Sequence, residues 1–424
     1  MSLGPMRRHV PRRLTSRALV CVSLSCFALA CDDRGAGGRE GVAVRDSSGV
    51  RVVHNTMADA PWGGASPWRA VPDLAIGSDS AESYRLGQVG DVAVTSTGDI
   101  VVIDQSVAQL RVFDRNGAFR RLFSRDGRGP GELSRFSSAV LVGDGDSLFV
   151  PDPSDRRITV FAPDGSFGRV IPTTTLPQGK SWLLLDDGRV LQRGSTTSRD
   201  AEGAFAFWDA MMRVAADGSA ADTLFVFDHA QTPIGGPGKI RIALIVNSPS
   251  WARLPDGRIV WSALDRDFLS VHDSTGRVVG RYTRGEWRTR PVTDADKTAM
   301  RELLRVKLRA LGGDAGAADS PMVEAPPIFP SITAVRAGPG GTIWVQRMGD
   351  VASIDPMAIN AAERSDFFGG STWDVLEGDG SYAGSIELPP RFRIFRVTDD
   401  AIYGAARDED GVEQVLRLAL RRGG

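Results

Sequence analysis

Cysteine is nearly absent from this chain, and the few that occur are confined to one end. Cys21, Cys26 and Cys31 all lie within the first 31 of 424 residues. The remaining residues therefore contain no thiol that could form a disulfide, bind zinc or act as a nucleophile. The sequence excludes a disulfide-stabilised fold and a cysteine enzyme.

An excess of either charge is also missing. The chain has 51 Lys and Arg against 52 Asp and Glu, a net charge of -1. Proteins that bind nucleic acid usually carry a clear positive excess. We therefore expect no nucleic-acid partner, and any charged site must be local.

Residues that commonly carry catalysis are sparse. The four histidines, His9, His54, His229 and His272, show no metal-ligand spacing. The chain has no G-x-S-x-G motif. Acidic turns such as Gly143–Ser147 lack the remaining ligands of a calcium loop, and hairpin turns explain them better. No catalytic residue is predicted.

The amino-terminal residues have the pattern of an export signal. Five arginines between Arg7 and Arg17 precede an apolar run from Ala18 to Ala30. Thirteen helical residues span about 20 Å, whereas the hydrocarbon core of a bilayer is about 30 Å thick. The run is thus too short for a transmembrane helix and is typical of a signal peptide.

The boundary sequence ALAC, which ends at Cys31, resembles the bacterial lipobox, with Ala28 where leucine is usual. This resemblance implies that residues 1–31 are a lipoprotein-type signal ending at the lipidated Cys31. Residues 32–43 would form a flexible tether to the membrane. The expected location is the cell envelope, on the periplasmic side of the inner or outer membrane; Asp32-Asp33 resembles an inner-membrane retention signal. Lipidation at Cys26, or plain secretion after cleavage near Ala30, stay open as alternatives.

An internal repeat occupies most of the chain. Asp91–Phe123 and Ser138–Ile171 align as four short apolar segments each, with Asn116-Gly117 matching Asp164-Gly165. These dipeptides favour tight hairpins because glycine readily adopts positive φ. Each repeat therefore predicts a four-stranded antiparallel meander. Three more complete repeats follow, and the end of the chain supplies a sixth with only three strands.

The missing strand must come from the amino-terminal side. Either Asp46–Thr56 or Trp68–Gly77 can supply it, and both would close a ring without an open edge. Meanders of about 40–50 residues in a ring form a propeller. The sequence predicts an all-β, six-bladed β-propeller over residues 44–424, closed by an amino-terminal strand.

The glycine-rich stretch Ser124–Phe136 superficially resembles a phosphate-binding loop. No helical pattern follows it, and Pro130 lacks the N–H that such a loop would need. It is predicted to be a connector between blades, as is the similar Gly235–Lys239.

These repeats resemble those of NHL-type six-bladed propellers, and GRGPGEL within the connector resembles one common in lipobox-bearing bacterial propeller proteins. The resemblance covers Ser48 to Leu420 and implies architecture far more than activity. We expect a monomeric, lipid-anchored binding or scaffold module for an envelope protein, peptide or glycan. The alternative is a metal-dependent hydrolase or lyase. Propellers of that kind hold a divalent metal in the central channel, for which the inner strands here offer Asp91, Asp186 and Asn247.

Two insertions interrupt the repeats, within residues 286–330 and at Met348–Ser371. In the first, Thr293 with Asp296 resembles a capping box and opens a helix that Gly312 ends. Five residues at helical spacing predict a stripe that packs on the propeller: Met300, Leu303, Leu304, Leu308 and Leu311.

Insertions and connectors should share one face of the propeller, where we place a candidate binding surface. Trp182 and Trp251 occupy matching positions at the start of inner strands, and arginines lie in predicted connectors. Aromatic and arginine side chains are common in binding sites. The candidate residues are Arg128, Arg135, Arg156, Trp182, Trp251 and Arg347.

Overall fold

The computed structural model describes residues 41–56, 68–77, 81–174, 178–199, 205–229, 242–351, 354, 356, 368–407 and 412–422. The predicted signal peptide with Cys31, most of the tether, Gly235–Lys239 and much of Met348–Ser371 lie outside these residues. Within them, no helix is both long enough and apolar enough to cross a membrane.

Six sheets, each built on four antiparallel strands, form a six-bladed β-propeller, which confirms the fold predicted from the repeats. The strands of blade 1 are Val89–Val94, Ile100–Asp104, Gln109–Phe113 and Phe119–Phe123. Those of blade 2 are Leu141–Val142, Leu148–Asp152, Arg157–Phe161 and Phe167–Pro172. Those of blade 3 are Gln178–Leu184, Val190–Arg199, Phe205–Val214 and Ala221–Val226.

The second half of the ring repeats this order. Blade 4 contains Ser250–Arg253, Ile259–Ser262, Phe268–His272 and Val278–Arg284. Blade 5 contains Ile332–Ala337, Ile343–Met348, Gly369–Leu376 and Tyr382–Glu387. Blade 6 contains Arg393–Val397, Ala401–Arg407 and Glu413–Arg422, joined by Trp68–Ile76. In every blade the first strand of the repeat is innermost.

The ring is closed by Trp68–Ile76, the closing strand. It pairs antiparallel with Glu413–Arg422, and the buried Trp68 ring meets Trp344 edge-on at 6.4 Å between centroids. This decides between the two amino-terminal segments that the sequence left open. The apolar contacts of Trp68 favour this position because they join blades 5 and 6.

The other segment, Asp46–Thr56, does not close the ring. Val42–Ser47 and Val50–Asn55 form an amino-terminal hairpin around the Ser48-Gly49 turn. Val50–Asn55 lies parallel to the outermost strand of blade 4, so that blade has six strands. The alternating valines of this segment suit any outer edge of a sheet, so the sequence could not say which blade it joins.

Two physical reasons require glycine in the turns of the outer hairpins. Gly218 and Gly276 have φ of +73° and +88°, as their tight turns demand. A Cβ on Gly218 would also lie 2.2 Å from the Pro172 carbonyl oxygen, and one on Gly276 2.1 Å from that of Leu224. Each turn therefore packs directly on the outer strand of the preceding blade.

The connector Ser124–Phe136 turns a corner between blades 1 and 2, as predicted. No helix follows it, and its carbonyl oxygens are occupied by Arg157, which donates to Arg128 O at 2.8 Å and Glu132 O at 3.0 Å. The buried Asp152 carboxylate accepts from Ser134 N at 3.0 Å. Glycine N–H groups that a phosphate would need are also taken, since Gly129 N donates to the Glu132 carboxylate at 2.8 Å and Gly127 N to the Leu133 carbonyl oxygen at 3.0 Å.

The predicted helix lies between blades four and five. Helix α1 spans Asp294–Ala310, and Thr293 with Asp296 forms the capping box at its start. Met300 and Leu304 are buried against Leu244 and Phe329, while Leu311 is 63% exposed. Leu311 follows the last helical residue, so including it in the apolar stripe was wrong.

Candidate functional site

A central cavity of about 540 Å³ is lined by the innermost strands of all six blades. This volume falls within the range of about 300–1,000 Å³ that is usual for small-molecule sites. The blades place it there because their inner strands converge on the axis of the ring. The cavity, called here the central channel, is the main candidate site in the described residues.

The channel wall is strongly cationic although the chain as a whole is not. Asp91 is the one acidic residue among those that line it. The basic residues of the wall are Lys180, Arg193, Arg253, Arg336 and Arg396. Such a wall attracts anions, because clefts with low-dielectric walls focus the field of their charges.

Two of these arginines also tie neighbouring blades together. Arg336 Nε donates to the Ile394 carbonyl oxygen at 3.0 Å, from blade 5 to blade 6. Arg396 Nη2 lies 3.0 Å from Asp91 Oδ2 and donates to the Val140 carbonyl oxygen at the same distance. Part of the positive charge thus stabilises the ring itself, and the Asp91 charge is neutralised.

Arg253 differs from these two residues. It is partly exposed in the inner strand of blade 4 and lines both the channel and a second cavity between blades 3 and 4. Among the described residues, its guanidinium makes neither an ion pair nor a hydrogen bond. Its donors therefore remain available to a ligand.

At blade 3, Arg193 belongs to a buried cluster around Asp209. Arg193 Nη1 lies 3.5 Å from Asp209 Oδ2, and His229 Nε2 lies 3.3 Å from the same oxygen. Ser195 Oγ donates to the other carboxylate oxygen. Burial alone would raise the pKa of Asp209, but His229, Arg193 and Ser195 together hold it well below its usual range. Because serine and histidine both contact the carboxylate, the cluster does not pair the serine with a histidine base.

The two predicted tryptophans lie in the channel. Trp182 and Trp251 both line it, and Trp251 Nε1 donates to Ser181 Oγ at 2.7 Å, which joins blades 4 and 3. Their matching positions in the repeat explain why they reach the same cavity.

The four predicted arginines do not line the channel with the two tryptophans. Arg128 and Arg135 lie on the connector between blades 1 and 2, with side chains 85% and 63% exposed, and pair with Asp155 and Asp126. Arg156 is exposed in a loop of blade 2 and borders a small crevice that Trp182 also lines. Arg347 pairs with the buried Asp374 in blade 5, with Nη2 and Oδ1 2.6 Å apart.

The three residues of the metal alternative are also apart. Asp91 lines the channel, whereas Asp186 is exposed at a hairpin and borders a second cavity between blades 3 and 4. Asn247 Oδ1 accepts from Leu264 N at 2.7 Å. In the part of the chain that the structure describes, no group of three or more His, Cys, Asp or Glu side chains could hold a metal ion.

The sequence reasoning missed the basic residues of the channel, although one signal was present. Arg336 and Arg396 occupy the same register of their inner strands, one residue before the partners of Ile343 and Ile402. Aligning the repeats by strand pairing would have placed both on the axis. Arg253 lies one position later in its strand than Arg336 and Arg396 do in theirs, so the same alignment would not have identified it.

The fold and its axial cavity define the class as six-bladed β-propellers. Residues 79–178 match the DUF5128 family model, which describes a 6-bladed beta-propeller. No curated protein sequence matches the chain.

Three solved structures illustrate the structural similarity. A member of the duf4221 family from Bacteroides vulgatus is 10% identical, with a TM-score of 0.49, over 84% of this chain and 98% of that one. Virginiamycin B lyase from Staphylococcus aureus is 8% identical, with a TM-score of 0.42, over 83% and 99%. A gluconolactonase from Xanthomonas campestris is 13% identical, with a TM-score of 0.39, over 82% and 97%.

Proposed function

We propose that this protein is an exported, lipid-anchored propeller that binds an anionic ligand in its central channel. The ligand is a small organic anion or the anionic end of an envelope peptide or glycan. The observation that carries this proposal is the channel wall, where five basic side chains face one acidic side chain. Asp91 offsets one of the five positive charges through Arg396, and the buried Asp209 offsets a second through Arg193, so the wall keeps a positive excess toward an incoming ligand.

The anchor and the location rest on the sequence. The signal and the lipobox-like ALAC support export and acylation of Cys31. Several acyl chains would hold the protein firmly, since each buried methylene contributes about 0.8 kcal/mol. Cys31→Ser should release the protein from the membrane fraction and abolish labelling by an alkyne-tagged fatty acid. Unchanged labelling of that variant, with labelling lost in Cys26→Ser, would place the anchor at Cys26.

Binding should depend on charge. We would measure affinity by calorimetry for anions and their neutral partners: glucuronate against glucose, glutarate against glutaramide, and octanoate against octanamide. The protein would be the mature chain from residue 31 with Cys31→Ser, so that no acyl chain or detergent competes. At least one anion should bind tenfold or more tightly than its neutral partner, and less tightly as salt rises.

A matched pair of variants locates the binding. Arg253→Gln removes a guanidinium that holds no other part of the fold and should weaken anion binding about tenfold. Arg309→Gln removes a 63% exposed charge on helix α1 and should leave binding unchanged. If no anion outperforms its neutral partner, or if neither Arg253→Gln nor Lys180→Gln weakens anion binding relative to Arg309→Gln, the proposed function is wrong.

A further inference from the structure

The channel is not evenly cationic around its axis. All five basic residues of the wall come from blades 3 to 6. The side chains that blades 1 and 2 contribute are mostly apolar: Ala93, Val94, Ala139, Leu141 and Val142. The cavity therefore has a cationic arc and an apolar arc.

Blade 3 lies where the two arcs meet. Leu183 and Leu184 of its inner strand continue the apolar arc, and Trp182 and Leu184 pack in one cluster with Leu141 of blade 2. Lys180 stands two residues before Trp182 in the same strand and also lines the channel. A positive charge is thus next to a continuous apolar and aromatic surface.

Arg193 adds a second basic side chain at this junction. Its side chain is 2% exposed, yet it lines the channel. Its Nε and Nη1 are buried without a hydrogen-bond acceptor in the described residues, and the Asp209 oxygen lies 3.5 Å from Nη1. Buried donors of a charged group are costly to leave unsatisfied, and a guanidinium fits a carboxylate in particular.

We propose that the ligand is an amphipathic carboxylate. Lys180 and Arg193 receive its carboxylate, and its aliphatic or aromatic body lies against Leu184 and the apolar arc of blades 1 and 2. This inference rests on the proposed function, because it names the class of anion that the channel takes. It adds that affinity grows with the apolar body, which a site for anions alone does not require.

The test compares acetate, octanoate and octanamide on the mature chain with Cys31→Ser. Each methylene that enters the apolar arc should tighten binding about fourfold, so octanoate should bind at least about a hundredfold more tightly than acetate. Octanamide should bind at least about tenfold more weakly than octanoate. Equal affinities for acetate and octanoate would overturn this inference and leave the proposed function intact. Equal affinities for octanoate and octanamide, with no other anion binding more tightly than its neutral partner, would overturn both.

Variants separate the two arcs. Val142→Thr keeps the shape of the side chain and should weaken octanoate several-fold while leaving acetate unchanged. Lys180→Gln and Arg193→Gln should weaken both ligands about tenfold, and Arg309→Gln should change neither. If Arg193→Gln fails to fold, Lys180→Gln alone decides the point. Loss of octanoate binding in Arg253→Gln, with normal binding in Lys180→Gln, would overturn the assigned position of the carboxylate.

Discussion

The guanidinium of Arg396 donates to the carboxylate of Asp91 at 3.0 Å and joins the last inner strand of the ring to the first. Asp91 Oδ2 also accepts from Val140 N at 3.1 Å in blade 2. One carboxylate therefore connects three blades. Similar hydrogen bonds cross the interfaces between blades 3 and 4, 4 and 5, and 5 and 6. Two of the residues that give the channel its charge, Arg336 and Arg396, also hold its wall in place.

We predict that Asp91 contributes mainly to stability. Asp91→Ala should lower the free energy of unfolding by about 2–4 kcal/mol, because it leaves Arg396 and two backbone N–H groups without their acceptor. Urea unfolding measures this loss. Asp186→Ala, at an exposed turn, is the control and should change stability by about 0.5 kcal/mol or less. A melting temperature that rises with calcium in the parent, but not in Asp91→Ala, would instead make Asp91 a metal ligand.

The buried Trp68 of the closing strand should matter strongly to the stability of the ring, whereas the exposed Val44 of the amino-terminal hairpin should not. Trp68→Ala removes a ring that is 7% exposed and should cost about 3–5 kcal/mol. Val44→Ala, on the hairpin and 48% exposed, should cost less than about 0.5 kcal/mol. Thermal and urea unfolding would test both. Comparable losses in the two variants would contradict this division of roles.

The packing of helix α1 should contribute to stability through its buried face only. Met300→Ala creates a cavity beside Leu304 and Phe329 and should cost about 2–5 kcal/mol. Leu311→Ala, at a 63% exposed position, should have almost no effect. Thr293→Ala removes half of the capping box and should cost about 1 kcal/mol. Urea unfolding of the three variants would test this order, and an equal cost for Leu311→Ala would show that the helix packs differently.

Stability should fall as pH drops below about 6.5, and His272 should be one cause. This ring is 5% exposed and stacks on Phe225 with centroids 3.8 Å apart, and burial lowers its pKa. The unfolded chain therefore takes up a proton that the folded chain resists, so the stabilisation is present above the unfolded pKa and is lost as pH falls through the folded one.

Urea unfolding at pH 7.5 and 5.5 measures this dependence. The contribution of His272 should fall by at most about 1.4 kcal/mol per pH unit between the two pKa values, and His272→Gln should flatten the curve. A slope that His272→Gln does not alter would assign the pH dependence to other groups.

The sequence by itself determined the local structure. Glycine at positive φ fixed the hairpins of each blade, Thr293 and Asp296 fixed the start of helix α1, and the repeat of four strands fixed the number of blades. These features depend on residues that are neighbours along the chain, so the pattern alone is sufficient to predict them.

Only the tertiary structure decided which edge each amino-terminal segment occupies and what the channel is made of. Alternating apolar residues suit Asp46–Thr56 and Trp68–Gly77 equally well, and the choice depends on contacts such as that of Trp68 with Trp344, far away in sequence. Likewise, Lys180, Arg253 and Arg396 are ordinary basic residues in a nearly neutral chain. They become one cationic arc because six inner strands meet on a single axis, which brings together charges that lie more than 200 residues apart.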